Sequence, residues 1–144
     1  MLNIINDSSG IVIGFAAQPY PPWRLPGWHR ASLGVHGDDG RRYVNDSFGG
    51  RDFVAPFRRG DVVGIGMKFR AEDAGSGRCK TSVVFNRNGR KEGGWEIDEE
   101  RDAERDEGVE GLMAEGDLYA AIGVFGGIEA EVVLSRQGWM GGID

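Results

Sequence analysis

The sequence contains a single cysteine, Cys79, among 144 residues. No internal disulfide can form and no cysteine cluster is present to hold zinc, and both facts suit a reducing compartment. Long apolar runs are missing as well. Ile11 to Ala17, with Gly14 inside it, covers seven residues and Leu118 to Phe125, with Gly123 inside it, eight, whereas a membrane-spanning helix needs about 20. The opening stretch from Met1 has no basic lead and meets Asp7 too early for the roughly 7–15-residue apolar segment of a secretion signal. The expected location is the cytosol or the nucleus, without secretion and without insertion into a membrane. An excess of positive charge is also absent. Net charge is −6, and the stretch from Asp98 to Asp117 holds ten acidic residues against Arg101 and Arg105, so the remainder sits close to neutral. Nucleic-acid binding rests on clustered Lys and Arg that neutralise phosphates, and no nucleic-acid partner is expected. Arg41, Arg42, Arg58 and Arg59 read as solvated charge near turns. No internal repeat is evident either, which removes solenoids and propellers.

What is present is the composition of one folded β-rich domain, assigned to residues 1–144. Apolar residues make up 40% and charged residues 28%, a globular balance at a length suited to one core. Twenty-five glycines spread along the chain favour short strands and tight turns over long helices. Val63, Ile65, Met67 and Phe69 alternate with Val62, Gly64, Gly66 and Lys68, predicting a strand with its large residues on one face. Ala130, Val132 and Leu134 alternate with Glu129, Glu131 and Val133, predicting another with a charged outer face. Ile11 to Phe15 and Leu118 to Phe125 are mostly apolar, the pattern of strands buried on both faces. Asn88-Gly89 is a strong signal for a type I′ hairpin, since both positions must accept positive φ. Asp39-Gly40 is a second such signal, between Ser32–His36 and Arg42–Val44. Two segments break the pattern. Gln18 to Trp28, with Pro19, Pro21, Pro22 and Pro26, reads as a stiff extended loop. The acidic stretch 98–117 reads as a mobile surface insertion, because like charges at i,i+4 such as Glu100/Glu104 weaken a helix.

The run Arg24-Leu-Pro-Gly-Trp-His-Arg, then Leu33-Gly-Val-His-Gly-Asp-Asp-Gly-Arg-Arg-Tyr, resembles the SPRY domain (B30.2/SPRY-like), closest to the Ran-binding-protein-like branch with its fungal Ssh4-type sorting adaptors. Pro56-Phe57, Gly60-Asp61-Val62-Val63-Gly64, Val84-Phe85-Asn86-Arg87-Asn88-Gly89 and Leu118-Tyr-Ala-Ala-Ile-Gly-Val follow in the matching order, so the blocks run from about 11 to 139. The resemblance implies an all-β fold, a bent antiparallel sandwich of the concanavalin-like jelly-roll kind, whose end loops bind short peptide segments of partner proteins. It also implies a role in ubiquitin-ligase complexes or protein sorting as an adaptor. The strands that normally precede the Ile11 block are missing or reduced to ten residues, and Leu134-Ser135-Arg136 stands where the family has Asn-Phe-Gly.

The partner-binding positions implied are Tyr20, Pro21, Trp23, Arg24 and Leu25 in the proline-aromatic loop, with Phe125, Gly126 and Gly127 in the turn after the Leu118 strand. Rigid aromatics and an arginine lose little entropy on binding, and glycines let a peptide backbone approach. The bland alternative has Trp23 and Trp28 plugging the end of the sandwich, and Trp28 itself is expected in the core. His36, Asp38 and Asp39, with His29 nearby, carry the residue types of a metal-dependent or hydrolytic enzyme. Consecutive Asp side chains on a strand point to opposite faces, and a hairpin corner with Asp38 or Asp39 accepting local N–H groups accounts for them. No Gly-x-Ser-x-Gly elbow is present, and the segment from Gly75 to Thr81 lacks phosphate-loop spacing. No catalytic residue, cofactor or metal is assigned. A truncated domain without any partner is the remaining alternative, and Cys79 is taken as an ordinary strand-edge residue.

Overall fold

The computed structural model describes residues 2–4, 10–46, 49–71, 79–97, 111–112 and 116–133. Among these residues nine strands occur in the order β1 Leu2–Ile4, β2 Ile11–Ala16, β3 Ser32–His36, β4 Arg42–Val44, β5 Val62–Ala71, β6 Cys79–Arg87, β7 Arg90–Glu96, β8 Tyr119–Val124 and β9 Ala130–Val132. They form two antiparallel sheets, ordered β7-β6-β5-β1-β9 and β4-β3-β2-β8, with no α-helix among the described residues. The all-β fold expected from the glycine density, and the antiparallel sandwich that the resemblance implies, are therefore present.

Local chemistry explains the hairpins. Asn88 and Gly89 both take positive φ, 52° and 82°, and join β6 to β7 at the pair Arg87↔Arg90, as a type I′ turn requires. The Asp39-Gly40 corner between β3 and β4 is not the type I′ turn expected: only Gly40 takes positive φ, 71°, and the longer connection closes through Gly40 N–H to the His36 carbonyl and Asp39 Oδ1 accepting the Arg41 N–H at 2.8 Å. Before the Ile11 block the described residues hold the strand β1, which lies between β5 and β9, so its three residues sit in the sheet interior.

Between the sheets lie Leu2, Ile4, Ile11, Ile13, Leu33, Val35, Val44, Phe57, Val63, Phe85 and Trp95. Val63 is fully buried and Ile65 and Met67 pack against this cluster, as the alternation in β5 predicts. Phe69, toward the far end of the ten-residue β5, is not buried with them. Two further expectations are corrected. β8 is not buried on both faces but forms the edge of its sheet, with Tyr119, Ile122 and Val124 exposed. Val132 in β9, expected on a buried face, is exposed too. Most of the acidic stretch 98–117, as well as Leu134-Ser135-Arg136, lies outside the described residues, but Leu112 within that stretch is fully buried in the core and is no part of a surface insertion.

Candidate functional site

The outer face of the β4-β3-β2-β8 sheet carries the proline-aromatic loop. Cross-strand register places Val12, Gly14 and Ala16 beside His36, Gly34 and Ser32 on one side and Gly123, Ala121 and Tyr119 on the other. This row faces away from the core residues Ile11, Ile13, Leu33 and Val35. Residues 17–31 connect β2 to β3 and fold back over it.

Two glycines make room for the loop. A Cβ at Gly34 would stand 2.5 Å from the Pro26 carbonyl oxygen, and one at Gly123 would stand 2.7 Å from Leu25 Cδ2 and 2.8 Å from Pro26 Cδ. Leu25 and Pro26 thus rest directly on β3 and β8. Gly27 beside them has φ +97°, and a Cβ there would meet the Tyr43 carbonyl oxygen at 2.6 Å, so only glycine fits. Neither Gly34 nor Gly123 stands out in the sequence; their spacing becomes informative only once the strand register aligns them under the loop.

The loop is not the extended strap its prolines suggest. Arg24 N–H donates to the Pro21 carbonyl and Trp28 N–H to the Leu25 carbonyl, closing successive turns in which prolines fix φ equally well. Tyr20 hydroxyl donates to the Leu25 carbonyl at 2.6 Å. Ser32 Oγ accepts from Gly27 N–H at 2.9 Å and donates to the His29 carbonyl, and Asp46 N–H donates to the Gly27 carbonyl. Burial and its hydroxyl bond together place Tyr20 as a pin of the loop, with its phenol pushed above the ordinary range chiefly by desolvation.

The tip that these pins present is Pro22, Trp23 and Arg24, all exposed, with Trp23 81% exposed. Trp23 therefore plugs nothing. Pro21 and Leu25 are half-buried. Phe125, Gly126 and Gly127 lie exposed in the turn after β8, where Phe125 N–H donates to the Gly10 carbonyl. Because Leu25 rests on Gly123, two residues before Phe125, the loop base lies against the strand that leads into this turn.

Under the loop sits an aromatic stack. Trp28 is half-buried instead of fully in the core, its ring centroid 5.5 Å from that of His36, which lies 4.0 Å from Tyr43. His36 Nε2–H donates to the Pro26 carbonyl at 3.0 Å, and Tyr43 hydroxyl donates to Asp39 Oδ2 at 2.7 Å. The Tyr43 phenol is pushed far up, first by burial and then by Asp39. His36 and Asp39, read from the sequence as candidates for catalysis, are thus occupied in holding the loop and the hairpin corner. Among the described residues no group of three or more His, Cys, Asp or Glu side chains is placed to hold a metal.

Burial holds His36 below its ordinary value of 6.5, and the Pro26 carbonyl, Asp39 and Asp38 only partly oppose this. The folded state then binds protons less readily than the unfolded chain. The stability tied to the neutral ring is complete above about pH 6.5 and is lost progressively as pH falls toward the lower folded-state value. Thermal midpoints measured from pH 7.5 down to 5 should decline in the wild type, and part of that decline should vanish in His36→Gln; identical pH profiles would mean that His36 does not titrate with unfolding.

No family model matches the chain. Its sequence is similar to a SPRY domain-containing protein of Schizosaccharomyces pombe, 38% identical over 81 residues that make up 56% of this chain and 19% of that protein. It is also similar to the protein ssh4 of Neosartorya fischeri, 39% identical over 85 residues, 59% of this chain and 15% of the relative. The matched stretch spans less than a fifth of the length of these relatives. A crystal structure of a human SPRY domain superposes with a TM-score of 0.63 at 23% identity, covering 90% of this chain and 71% of that one.

Proposed function

Given that this chain has the SPRY fold, we propose that it is a protein-recognition module that captures a short linear segment of a partner protein on its proline-aromatic loop and the turn after β8. One observation carries this: Trp23 is 81% exposed at the tip of a loop whose base is held by hydrogen bonds and by close packing on Gly34 and Gly123. A large apolar side chain is costly to leave in water. On a pre-ordered loop it loses little further entropy on binding, which is what an interface hot spot requires. Arg24 beside it adds a charged donor for a backbone carbonyl or a carboxylate. Phe125, Gly126 and Gly127 extend the surface on the β8 side.

His36 and Asp39 are spent on structure, which supports reading the site as one for binding. The likeness to ssh4 proteins and the lone cysteine support an intracellular setting as the recognition part of a ubiquitin-ligase or protein-sorting adaptor, with residues 1–144 acting as one domain.

The test is selection from a phage-displayed library of random short peptides, followed by calorimetric titration of an enriched peptide. Trp23→Ala is expected to weaken binding by about 30-fold, the equivalent of a 2 kcal/mol hot spot, and Arg24→Ala by a smaller factor, with thermal midpoints unchanged because both side chains are exposed. Absence of enrichment, or equal affinity for both variants and the wild type, would overturn the assignment.

A further inference from the structure

The core face of this sandwich runs out into solvent along one flank. In β8, Ala120, Ile122 and Val124 pair with Phe15, Ile13 and Ile11 and so point to the core side of their sheet, yet Ile122 is 41% and Val124 58% exposed. In β9, Val132 pairs with the buried Leu2 and is also exposed. The turn at residues 125–129 links these two strands, so both lie on the same flank. β8 has no strand on its far side among the described residues. Edge strands are normally blunted by charges, prolines or bulges, but from Leu118 to Ile128 there is neither a charged residue nor a proline.

We propose that the β8 edge is a docking surface for a second copy of this chain. The occupant is identified by self-complementarity. An antiparallel pairing about a two-fold axis perpendicular to the sheet sets Ile122 opposite Ile122 of the other copy, Ala120 opposite Val124, Ala121 opposite Gly123 and Tyr119 opposite Phe125. Apolar residues meet apolar residues on both faces, and the two four-stranded sheets become one. Neither face of this strand carries a charge, so two copies can approach along it without like-charge repulsion. The contact is isologous and closes at two copies. It also places both proline-aromatic loops on the same face of the joined sheet, so a partner with two recognition segments would be held bivalently.

Sedimentation equilibrium of the 144-residue chain is expected to show a concentration-dependent shift to twice the monomer mass. Ile122→Lys, which brings two ammonium groups face to face, is expected to return the monomer with its thermal midpoint kept. In a Cys79→Ser background, Ile122→Cys should be joined to its counterpart by a short bis-maleimide, and this readout stands even if the lysine variant fails to fold. Three outcomes would each overturn the proposal: a wild type that stays monomeric at all concentrations, a dimer that survives Ile122→Lys without cross-linking through the Ile122→Cys thiol, or an Ile122→Cys thiol shielded from maleimide in a monomer. Trp23→Ala should leave the dimer intact, so peptide recognition and self-association can fail separately.

Discussion

Phe85→Ala is expected to remove about 3–5 kcal/mol of folding stability, the usual cost of deleting a large aromatic from a packed core. Phe85 is fully buried in the second half of β6. Its ring stacks on Phe57 with centroids 5.6 Å apart and takes Phe53 edge-on at 6.0 Å. Two rings from the connection between β4 and β5 are thereby anchored to the sheet, and neither can move far enough to fill the void left by the lost ring. A domain of this size has about 5–15 kcal/mol in total, so the variant should show a much lower urea midpoint with an unchanged slope. Phe69→Ala, on the same face of the neighbouring strand but exposed, should cost under about 1 kcal/mol. Equal losses for the two variants would contradict the described core.

The second large effect is expected at Arg87. Its guanidinium donates to the Ala55 and Pro56 carbonyls and to Asp61 Oδ2 at 3.1 Å, and Nε lies 3.1 Å from Glu92 Oε2, close in charge though not aligned as a hydrogen bond. Only 10% of the Arg87 side chain and 14% of the Asp61 side chain is exposed, so solvent cannot replace these partners readily. Arg87→Ala should therefore cost about 3 kcal/mol, since removing one member of a buried pair leaves the other uncompensated. Part of the loss is relieved because Asp61 keeps the Arg58 N–H and Asn88 Nδ2–H. Arg87→Lys should recover less than half, because an ammonium cannot supply the planar fork that spans two carbonyls and a carboxylate. Full recovery by lysine would show that charge alone matters here.

The candidate site is partly legible in the sequence. Trp23 and Arg24 stand in a segment too rich in proline to pair as a strand, so their place on a loop follows from backbone chemistry alone. The half-burial of Trp28 and the use of Tyr20 as a pin do not, since Trp28 depends on His36 and Tyr43 meeting it from later strands, and Tyr20 on the loop folding back so that the Leu25 carbonyl reaches it. His36 and Asp39 show the same limit in reverse. Their residue types suggest chemistry, and their surroundings turn them into supports for Pro26 and Tyr43.

Turns and strands are settled by the sequence itself. Asn88-Gly89 accepts a pair of backbone angles that few other pairs tolerate, and the two-residue period of Val63, Ile65 and Met67 sets which side chains share a face, because both are properties of neighbouring residues. Tertiary structure alone decided the rest: that β1 lies between β5 and β9, that β8 ends the other sheet among the described residues, that Gly34 and Gly123 form the seat of the loop, and that Phe69 and Val132 reach solvent. Periodicity tells which residues lie on one side of a strand; what covers that side is supplied by segments distant in the chain, and burial is fixed only when they pack.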